Sequence, residues 1–297
     1  MQHILPIPCK ILVPVDLSEF SRKAFPVAQV FAQLYQGKLA PCLVYDVHSN
    51  MDGFHYYSNG DFHCDGDLLE IERQIKNHLR QFAATSVAEP YLDEALTIRD
   101  IHPAQAIVEA SKSFDLIVMS SHGRSGFSRL LLGSIAEKVL RLGYRPIVIV
   151  EDGSVFTPLQ RILLTTDFSS ASYAAFPYAQ AIAAASGAAV DLLHVVHGHF
   201  QDKAQQRAMC EARQAQLREI AAQYLPRIAD RLRCLVVTGD DSPHQAIRQH
   251  LVAQHYNLVI MAALGRSEHH AVRLGSTVAA LIRSVHTVFM VIQSESY

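Results

Sequence analysis

Two glycine-containing turns follow apolar runs in the sequence, and each could hold a phosphate group. Each turn has a small residue, a glycine three positions later, nine intervening residues and then Gly-Ser: Ser120, Gly123 and Gly133-Ser134 in the first, and Ala262, Gly265 and Gly275-Ser276 in the second. Glycine lets the backbone approach a ligand closely, and successive amide groups can form an anion cradle. A helix that begins after the Gly-Ser pair would add free N–H groups and a positive dipole end. The repeated spacing therefore predicts an anion site in each half.

An aspartate follows the first apolar run of each half, at Asp16 and Asp167. A carboxylate in this position can accept hydrogen bonds from a ribose or a base, or it can cap the helix that follows. Two residues further along, Ser18 and Ser169 carry hydroxyls that compete for the capping role. The aspartates are therefore candidates for ligand binding, with capping as the alternative.

The segments that carry these residues occur twice in the 297-residue chain. Residues 10–16 match residues 161–167 at an offset of 151, and residues 115–120 match residues 257–262 at an offset of 142. Both halves also end on a short β-branched run, at 146–150 and 287–292. Matches in the same order indicate a duplication. We expect two domains, at 1–152 and 158–297, with a short linker at about residues 151–160.

Each half alternates short apolar runs with amphipathic segments, which is typical of strands and helices in turn. In the first half we expect strands at 10–15, 39–45, 95–99, 115–120 and 146–150, and helices at 20–34, 68–82, 103–112 and after Gly133. Residues 46–66 are rich in Asp, Asn, Gly, His and Tyr and are expected to form a loop. The pattern predicts α/β domains, each with a parallel sheet covered by helices on both faces. Ligands of such sheets bind beyond the carboxyl ends of the strands.

With these motifs, the chain resembles the universal stress protein family, in its tandem form with two domains in one chain. The resemblance implies flavodoxin-like (adenine nucleotide alpha-hydrolase-like) domains of five parallel strands that bind ATP, or AMP or ADP. It also implies a cytoplasmic role in stress tolerance and an intramolecular pseudo-dimer through the last strands, with a homodimer as a further option. Both halves depart from the family motif at its first glycine, where Ser120 and Ala262 stand. The pattern is not a Walker A loop, because no Gly-Lys-Ser/Thr follows the turn.

Carried over position by position, the resemblance gives one set of candidate nucleotide-binding residues in each half. The first-half set is Pro14, Val15, Asp16, Val44, Met119, Ser120, His122, Gly123, Arg124, Gly126, Gly133, Ser134 and Ile135. The second-half equivalents, expected to bind more weakly, are Asp167, Val195, Gly265, Gly275 and Ser276. Val44 and Val195 are the positions that would face an adenine.

The turns of the two halves differ in charge. The first carries Arg124 and Arg129. The second also carries two arginines, Arg266 and Arg273, but adds Glu268, His269 and His270. A carboxylate would repel a triphosphate and a guanidinium would attract it. We therefore expect the first half to be the better nucleotide site.

Metal binding and catalysis are weaker hypotheses. The sequence His194-Val-Val-His197-Gly-His199 and the segment with His55 and His63-Cys64-Asp65 contain zinc-ligand residue types. A strand would place His194 and His197 on opposite faces, however, so no metal site is predicted. No nucleophile elbow or HExxH motif occurs, and no catalytic residue is assigned. A weak ATPase on the same site, or a scaffold whose nucleotide site has decayed, remain alternatives to a binding module.

Composition excludes several classes of partner. The formal net charge is −2 and the pI is about 6.8, so no global positive field exists to bind nucleic acid. No apolar run approaches the roughly 20 residues needed to cross a bilayer, and no membrane partner is expected. Five scattered cysteines without a CxxC pair favour a reducing, cytoplasmic compartment.

Overall fold

The computed structural model describes residues 7, 9–46, 48–50, 53–58, 62–122, 132–198, 200–239, 242–265 and 274–293, with the backbone alone for 48–50, 53–58 and 62–66. The chain divides into two compact units, the first containing Leu5–Asp152 and the second Gly153–Tyr297. Within the described ranges, no helix is both long and apolar enough to cross a membrane. The domain limits of 1–152 and 158–297 stay predictions, as does the pairing of the two last strands.

The first unit contains eight strands in its described part. They are β1 (Lys10–Pro14), β2 (Lys38–Tyr45), β3 (His48–Asn50), β4 (Gly53–Ser58), β5 (Phe62–Gly66), β6 (Leu96–Arg99), β7 (Leu116–Ser120) and β8 (Ile147–Val150). Five of them form a parallel sheet in the order β8-β7-β1-β2-β6. Strands β1, β7 and β8 are buried along almost their whole length, as expected for strands covered on both faces.

The helices of the first unit connect these strands. They are α1 (Glu19–Arg22), α2 (Ala24–Leu34), α3 (Leu68–Ala84), α4 (Pro103–Ala110) and α5 (Ser134–Leu142). The single helix expected at 20–34 is in fact two helices that separate at Lys23. Pro26 explains the break, because it has no N–H for the carbonyl of Arg22 and its ring would crowd that carbonyl.

The prediction of a loop at 46–66 is wrong. Strands β3, β4 and β5 of this segment form a separate antiparallel sheet in the order β3-β4-β5. The helix α3 follows it and packs against β4 and β5. This small sheet is an addition to the five-stranded parallel sheet, which is as predicted.

The second unit repeats the parallel sheet. Its elements are β9 (Arg161–Thr165), α6 (Ser170–Tyr173), α7 (Phe176–Ser186), β10 (Ala189–His197), α8 (Lys203–Tyr224), β11 (Leu232–Gly239), α9 (Pro243–Ala253), β12 (Leu258–Ala262), α10 (Ser276–Ile282) and β13 (Val288–Ile292). The strands are parallel in the order β11-β10-β9-β12-β13. Pro177 lies in the first turn of α7, as Pro26 does in α2, and the helix again separates from the short one before it.

When only the strands of the parallel sheet are counted along the chain, both units have the same order: third, second, first, fourth, fifth. In the first unit these are β6, β2, β1, β7 and β8, and in the second β11, β10, β9, β12 and β13. The α/β class and the five parallel strands of each domain are confirmed. Flavodoxin itself has the order 2-1-3-4-5, whereas the order here is that of the first five strands of a dinucleotide-binding sheet. The order in which successive strands are added to the sheet reverses between the first and fourth strands, which are β1 and β7 in one unit and β9 and β12 in the other. Ligands of open α/β sheets bind at this switch point.

Candidate functional site

A cleft of about 580 Å³ opens at the carboxyl ends of the strands of the second domain. Ligand pockets for small molecules are typically about 300–1,000 Å³. Five of its lining residues are those that the sequence places in this domain's site: Asp167, Val195, Gly265, Gly275 and Ser276. The structure thus brings this predicted set together around one cavity at the switch point, while their role in binding stays a prediction.

The two aspartates after the first strands have the same surroundings in both domains. Oδ1 of Asp16 accepts hydrogen bonds from the backbone N–H of Ser18, at 3.0 Å, and from its hydroxyl, at 2.5 Å. Asp167 and Ser169 repeat both bonds with the same distances. The serines, not the aspartates, cap the helices, because the Ser18 and Ser169 hydroxyls accept from the third residue after them. Each aspartate therefore holds the capping serine in place at the edge of the sheet.

A left-handed residue lies between the aspartate and the serine in both domains. Leu17 and Phe168 each have φ of 64°. This region is rarely adopted by bulky side chains and costs of order 1–3 kcal/mol. Backbone strain of this kind clusters at binding sites. In the second domain, the Asp167 carboxylate after this turn lies against Gly265: a Cβ atom added to Gly265 would be only 2.5 Å from Oδ2 of Asp167.

Backbone packing by itself explains why positions 133 and 275 are glycines. Each donates its N–H to the strand-end carbonyl of the turn, Gly133 to Ser121 at 2.8 Å and Gly275 to Ala263 at 2.6 Å. A Cβ on Gly133 would lie 2.9 Å from the Ser121 oxygen, and one on Gly275 3.0 Å from the Ala263 oxygen. Neither glycine has a positive φ. Glycine is therefore required here by close approach of two backbone segments, whether or not a phosphate binds.

The helices that begin at these glycines have no side-chain cap. Glycine is the N-cap residue of α5 and of α10, and in neither case does a side chain accept from the first turn. Other helices of the same chain are capped by a serine or an aspartate, as at Ser18, Asp67 and Asp202. Ser134 and Ser276, at the first helical position, are exposed. The N–H groups of these two first turns are therefore available to an anion, and they lie at the edge of the sheet where the predicted site falls.

In the first domain, the described candidates lie at the matching places. Pro14, Val15 and Asp16 are at the end of β1, Val44 is near the end of β2, Met119 and Ser120 end β7, and Gly133, Ser134 and Ile135 begin α5. Gly123, Arg124 and Gly126 lie outside the described residues. The same holds for Arg129 and, in the second domain, for Glu268. The charge contrast between the two turns therefore stays a prediction from the sequence.

Three polar residues that follow β7 and β8 form a hydrogen-bonded cluster in the first domain: Ser121, His122 and Glu151. The Ser121 hydroxyl and Nδ1 of His122 are 2.7 Å apart, and the Ser121 hydroxyl also hydrogen-bonds Glu151. Glu151 is 4% exposed, and neither its Oε1 nor Nε2 of His122 has a hydrogen-bond partner in the described part of the protein. Burial raises the pKa of Glu151 to about 7. Nothing in the sequence alone indicated this cluster.

The second domain has uncharged residues at the three equivalent positions. Strand register pairs Ser120 with Val150 in the first domain and Ala262 with Ile292 in the second. The residues that follow are thus Ser121, His122 and Glu151 in one domain and Ala263, Leu264 and Gln293 in the other. The buried titratable cluster belongs to the first domain alone.

The far end of the second-domain cleft is formed by residues that the sequence analysis missed. Phe200, Met209 and Arg213 line it, the last two from one face of α8. The Arg213 guanidinium lies 5.5 Å from the centre of the Phe168 ring, in a cation–π arrangement. The i, i+4 spacing of Met209 and Arg213 was the available signal, but on a helix such spacing is equally typical of ordinary packing.

The two histidines of β10 have different surroundings. His194 is buried, with Nδ1 2.9 Å from the carbonyl oxygen of Thr166, whereas His197 is exposed. His199 lies outside the described residues. Among the side chains that are described, no group of three or more His, Cys, Asp or Glu residues could hold a metal ion.

Comparison with known proteins gives consistent matches. A family model described as the Universal stress protein family matches residues 9–151 and again 158–293. Two universal stress proteins of Methanocaldococcus jannaschii are similar to half of the chain. MJ0577 is 27% identical over 153 residues, covering 48% of this chain and 94% of its own length. MJ0531 is 30% identical over 149 residues, covering 48% and 81%. A universal stress protein structure from Archaeoglobus fulgidus covers 97% of this chain and 98% of its own, with a TM-score of 0.64 and 23% identity, a likeness of fold.

Proposed function

The chain belongs to the universal stress protein family, and we propose that it is a cytoplasmic stress-response protein that binds ATP or a related adenine nucleotide as a regulatory module. The observation that carries the proposal is the cleft at the switch point of the second domain. It is large enough for a nucleotide and is lined by the residues that the glycine motif and the strand-end aspartate predict. The uncapped start of α10 at one side of it offers N–H groups to a phosphate.

We assign the tighter site to the first domain. The elements that form the second-domain cleft recur there with the same strand order, the same Asp–Ser pair and the same Gly-Ser helix start. In the sequence, both turns carry two arginines, but only the second adds a carboxylate, Glu268. Two unit charges about 4 Å apart interact by roughly 4 kcal/mol at an effective dielectric of about 20. Even a quarter of that energy, after screening, is about a five-fold difference in affinity.

The test uses a charge at the start of each helix. In the Ser134→Asp variant, a carboxylate at the first helical position favours the helix dipole but repels a phosphate, so binding and folding are separated. We expect calorimetry to find about one tight ATP site per chain, with affinity at least ten-fold weaker in Ser134→Asp. The matched variant Ser276→Asp should change that tight site by less than two-fold. If Ser276→Asp removes the tight site and Ser134→Asp does not, the assignment of the domains is reversed.

A scaffold without a bound nucleotide is the second candidate. The packing role of Gly133 and Gly275 favours it, because the glycines would be needed even with no ligand. A wild-type chain that binds no ATP, ADP or AMP at millimolar concentration would support the scaffold and refute the binding module. Phosphate release measured on the same samples tests the weak ATPase.

A further inference from the structure

Arg213 occupies a place on α8 where the equivalent helix of the first domain, α3, has a buried isoleucine. The two helices match at an offset of 142, the offset that also relates residues 115–120 to 257–262. At this offset Leu217 matches Ile75, and both are fully buried. Arg213 matches Ile71, which is fully buried as well. Arg213 therefore lies on the inward stripe of α8, where a charged residue is rare unless it is paired.

The Arg213 guanidinium lines the second-domain cleft and has few partners of its own. Its Nη1 donates a hydrogen bond to Oε1 of Gln216 at 2.7 Å, and its other contact is the Phe168 ring. Among the residues that the structure describes, no carboxylate forms an ion pair with it. A guanidinium carries five N–H donors. Donors therefore remain for an anionic group in the cleft.

Most of the described wall of this cleft is apolar. Leu193, Val196, Ile247 and Met261 line it, and all four are buried. Arg213 is the only lysine or arginine among the described lining residues. The cleft thus combines an extended apolar surface with one permanent positive charge, an arrangement that is complementary to a ligand with an apolar body and a single negative charge.

The buried polar groups of the wall have partners within the protein. The Thr166 hydroxyl is 2.8 Å from the Ser172 hydroxyl and accepts from the N–H of Phe168. Nδ1 of His194 is 2.9 Å from the carbonyl oxygen of Thr166. An apolar ligand would therefore leave none of these groups without a hydrogen bond, so it would avoid the cost of an unsatisfied buried donor or acceptor.

The shape of the guanidinium favours a carboxylate as the charged group. Its planar fork pairs with a planar carboxylate through two parallel hydrogen bonds. We propose that the second-domain cleft binds a monocarboxylate with an apolar body, of the medium-chain fatty acid class, with its carboxylate paired to Arg213. This role goes beyond the nucleotide role, whose tighter site we assign to the first domain, where Ile71 stands at the matching position.

The experiment titrates the full chain with sodium octanoate by calorimetry, with 1-octanol as the uncharged analogue. We expect one octanoate site per chain, with affinity at least ten-fold weaker in Arg213→Ile, because that variant removes the charge-assisted pair. Affinity for 1-octanol should change by less than two-fold, because the apolar wall is intact. The exposed Arg218 of the same helix, changed to Ile, is the matched control and should leave octanoate binding unchanged.

Two measurements separate a lost contact from a lost fold or a lost nucleotide site. Melting temperatures show whether Arg213→Ile is folded, and Arg213→Gln replaces it if it is not. The affinity of the tight ATP site should be the same in the wild type and in the Arg213 variants.

Three results would each overturn the proposal. The first is a wild-type chain that binds octanoate no more tightly than 1-octanol. The second is equal octanoate binding by the wild type and the Arg213 variant. The third is a variant that loses ATP affinity and keeps octanoate affinity, which would assign Arg213 to the nucleotide. Octanoate binding that depends on Arg213, in a chain that binds no ATP, would refute only the nucleotide role.

Discussion

Replacing Glu151 by glutamine should make the first domain more stable at alkaline pH. Glu151 follows β8 and is almost fully buried, and its Oε1 is unpartnered in the described part of the protein. Burial raises its pKa to about 7, the adjacent Asp152 adds to the rise, and the Ser121 hydrogen bond opposes it. Lys23 forms an ion pair with Asp152, which limits that contribution. The remaining titratable neighbour in the cluster is His122.

The sign of the effect follows from proton binding. Between the ordinary glutamate pKa of 4.5 and a pKa of about 7, the folded chain holds a proton that the unfolded chain has released. The stabilisation is therefore fully present below pH 4.5, declines as the pH rises, and is lost above pH 7. A difference of about 2.5 pH units, at about 1.36 kcal/mol per unit, amounts to roughly 3 kcal/mol. Glutamine, which is neutral at every pH, lacks this decline.

Hydrogen exchange of the β7 and β8 amides, compared at pH 5 and pH 8, measures the opening free energy of this region. We expect Glu151→Gln to match the wild type within about 1 kcal/mol at pH 5 and to exceed it by up to roughly 3 kcal/mol at pH 8. The exposed Glu109, changed to Gln, should show no such pH dependence. Carbon-13 titration of the glutamate carboxyls identifies the Glu151 signal by its loss in the variant. A Glu151 that titrates near pH 4.5, or a variant with the pH profile of the wild type, refutes the reasoning.

Three further predictions concern packing and buried groups. Asp191→Asn should destabilise the second domain by about 2 kcal/mol in chemical unfolding, because the buried Asp191 carboxylate accepts hydrogen bonds from Arg161, Arg233 and Tyr256. Burial alone would raise the pKa of Asp191, but these hydrogen bonds hold it below the ordinary value. That stabilisation is present above pH 4 and declines in acid, so the variant should lose stability less steeply on acidification. Gly133→Ala should lower the thermal stability of the first domain by about 1–3 kcal/mol through overpacking. The Cys42 thiol, whose pKa burial raises to about 12, should react with thiol reagents only after unfolding.

The sequence was sufficient to predict the parallel sheets because their strands are buried on both faces. Such strands appear as continuous apolar runs, and the duplication supplied each one twice. The split of the helix at Lys23 was also within reach, since Pro26 and Pro177 occupy equivalent places and proline disfavours a helix that continues through it. The prediction missed the break because the spacing of Phe20, Ala24 and Phe31 fits one helix.

The antiparallel sheet at 48–66 was harder to predict because its composition is that of a loop. Its strands mix histidine, tyrosine, serine and aspartate, and their alternation is weak beside the apolar runs of the main sheet. Two signals were nevertheless present. Asp52-Gly53 and Asn59-Gly60 are dipeptides typical of tight hairpin turns. The first ends on the first residue of β4, and the second stands in the sequence between β4 and β5.

The candidate site shows a different limit of sequence reasoning. The Gly-Ser motif located Gly275 and Ser276 at the cleft, but it could not reveal that the glycine is also needed where its backbone meets the Ala263 carbonyl. The same residue type at the same spacing thus satisfies both the packing of the turn and the approach of a phosphate. A spacing that serves two purposes cannot distinguish a nucleotide-binding protein from a scaffold. The exposed serines beside the glycines can, because a charge placed there acts on a bound phosphate while the packing of the turn is left intact.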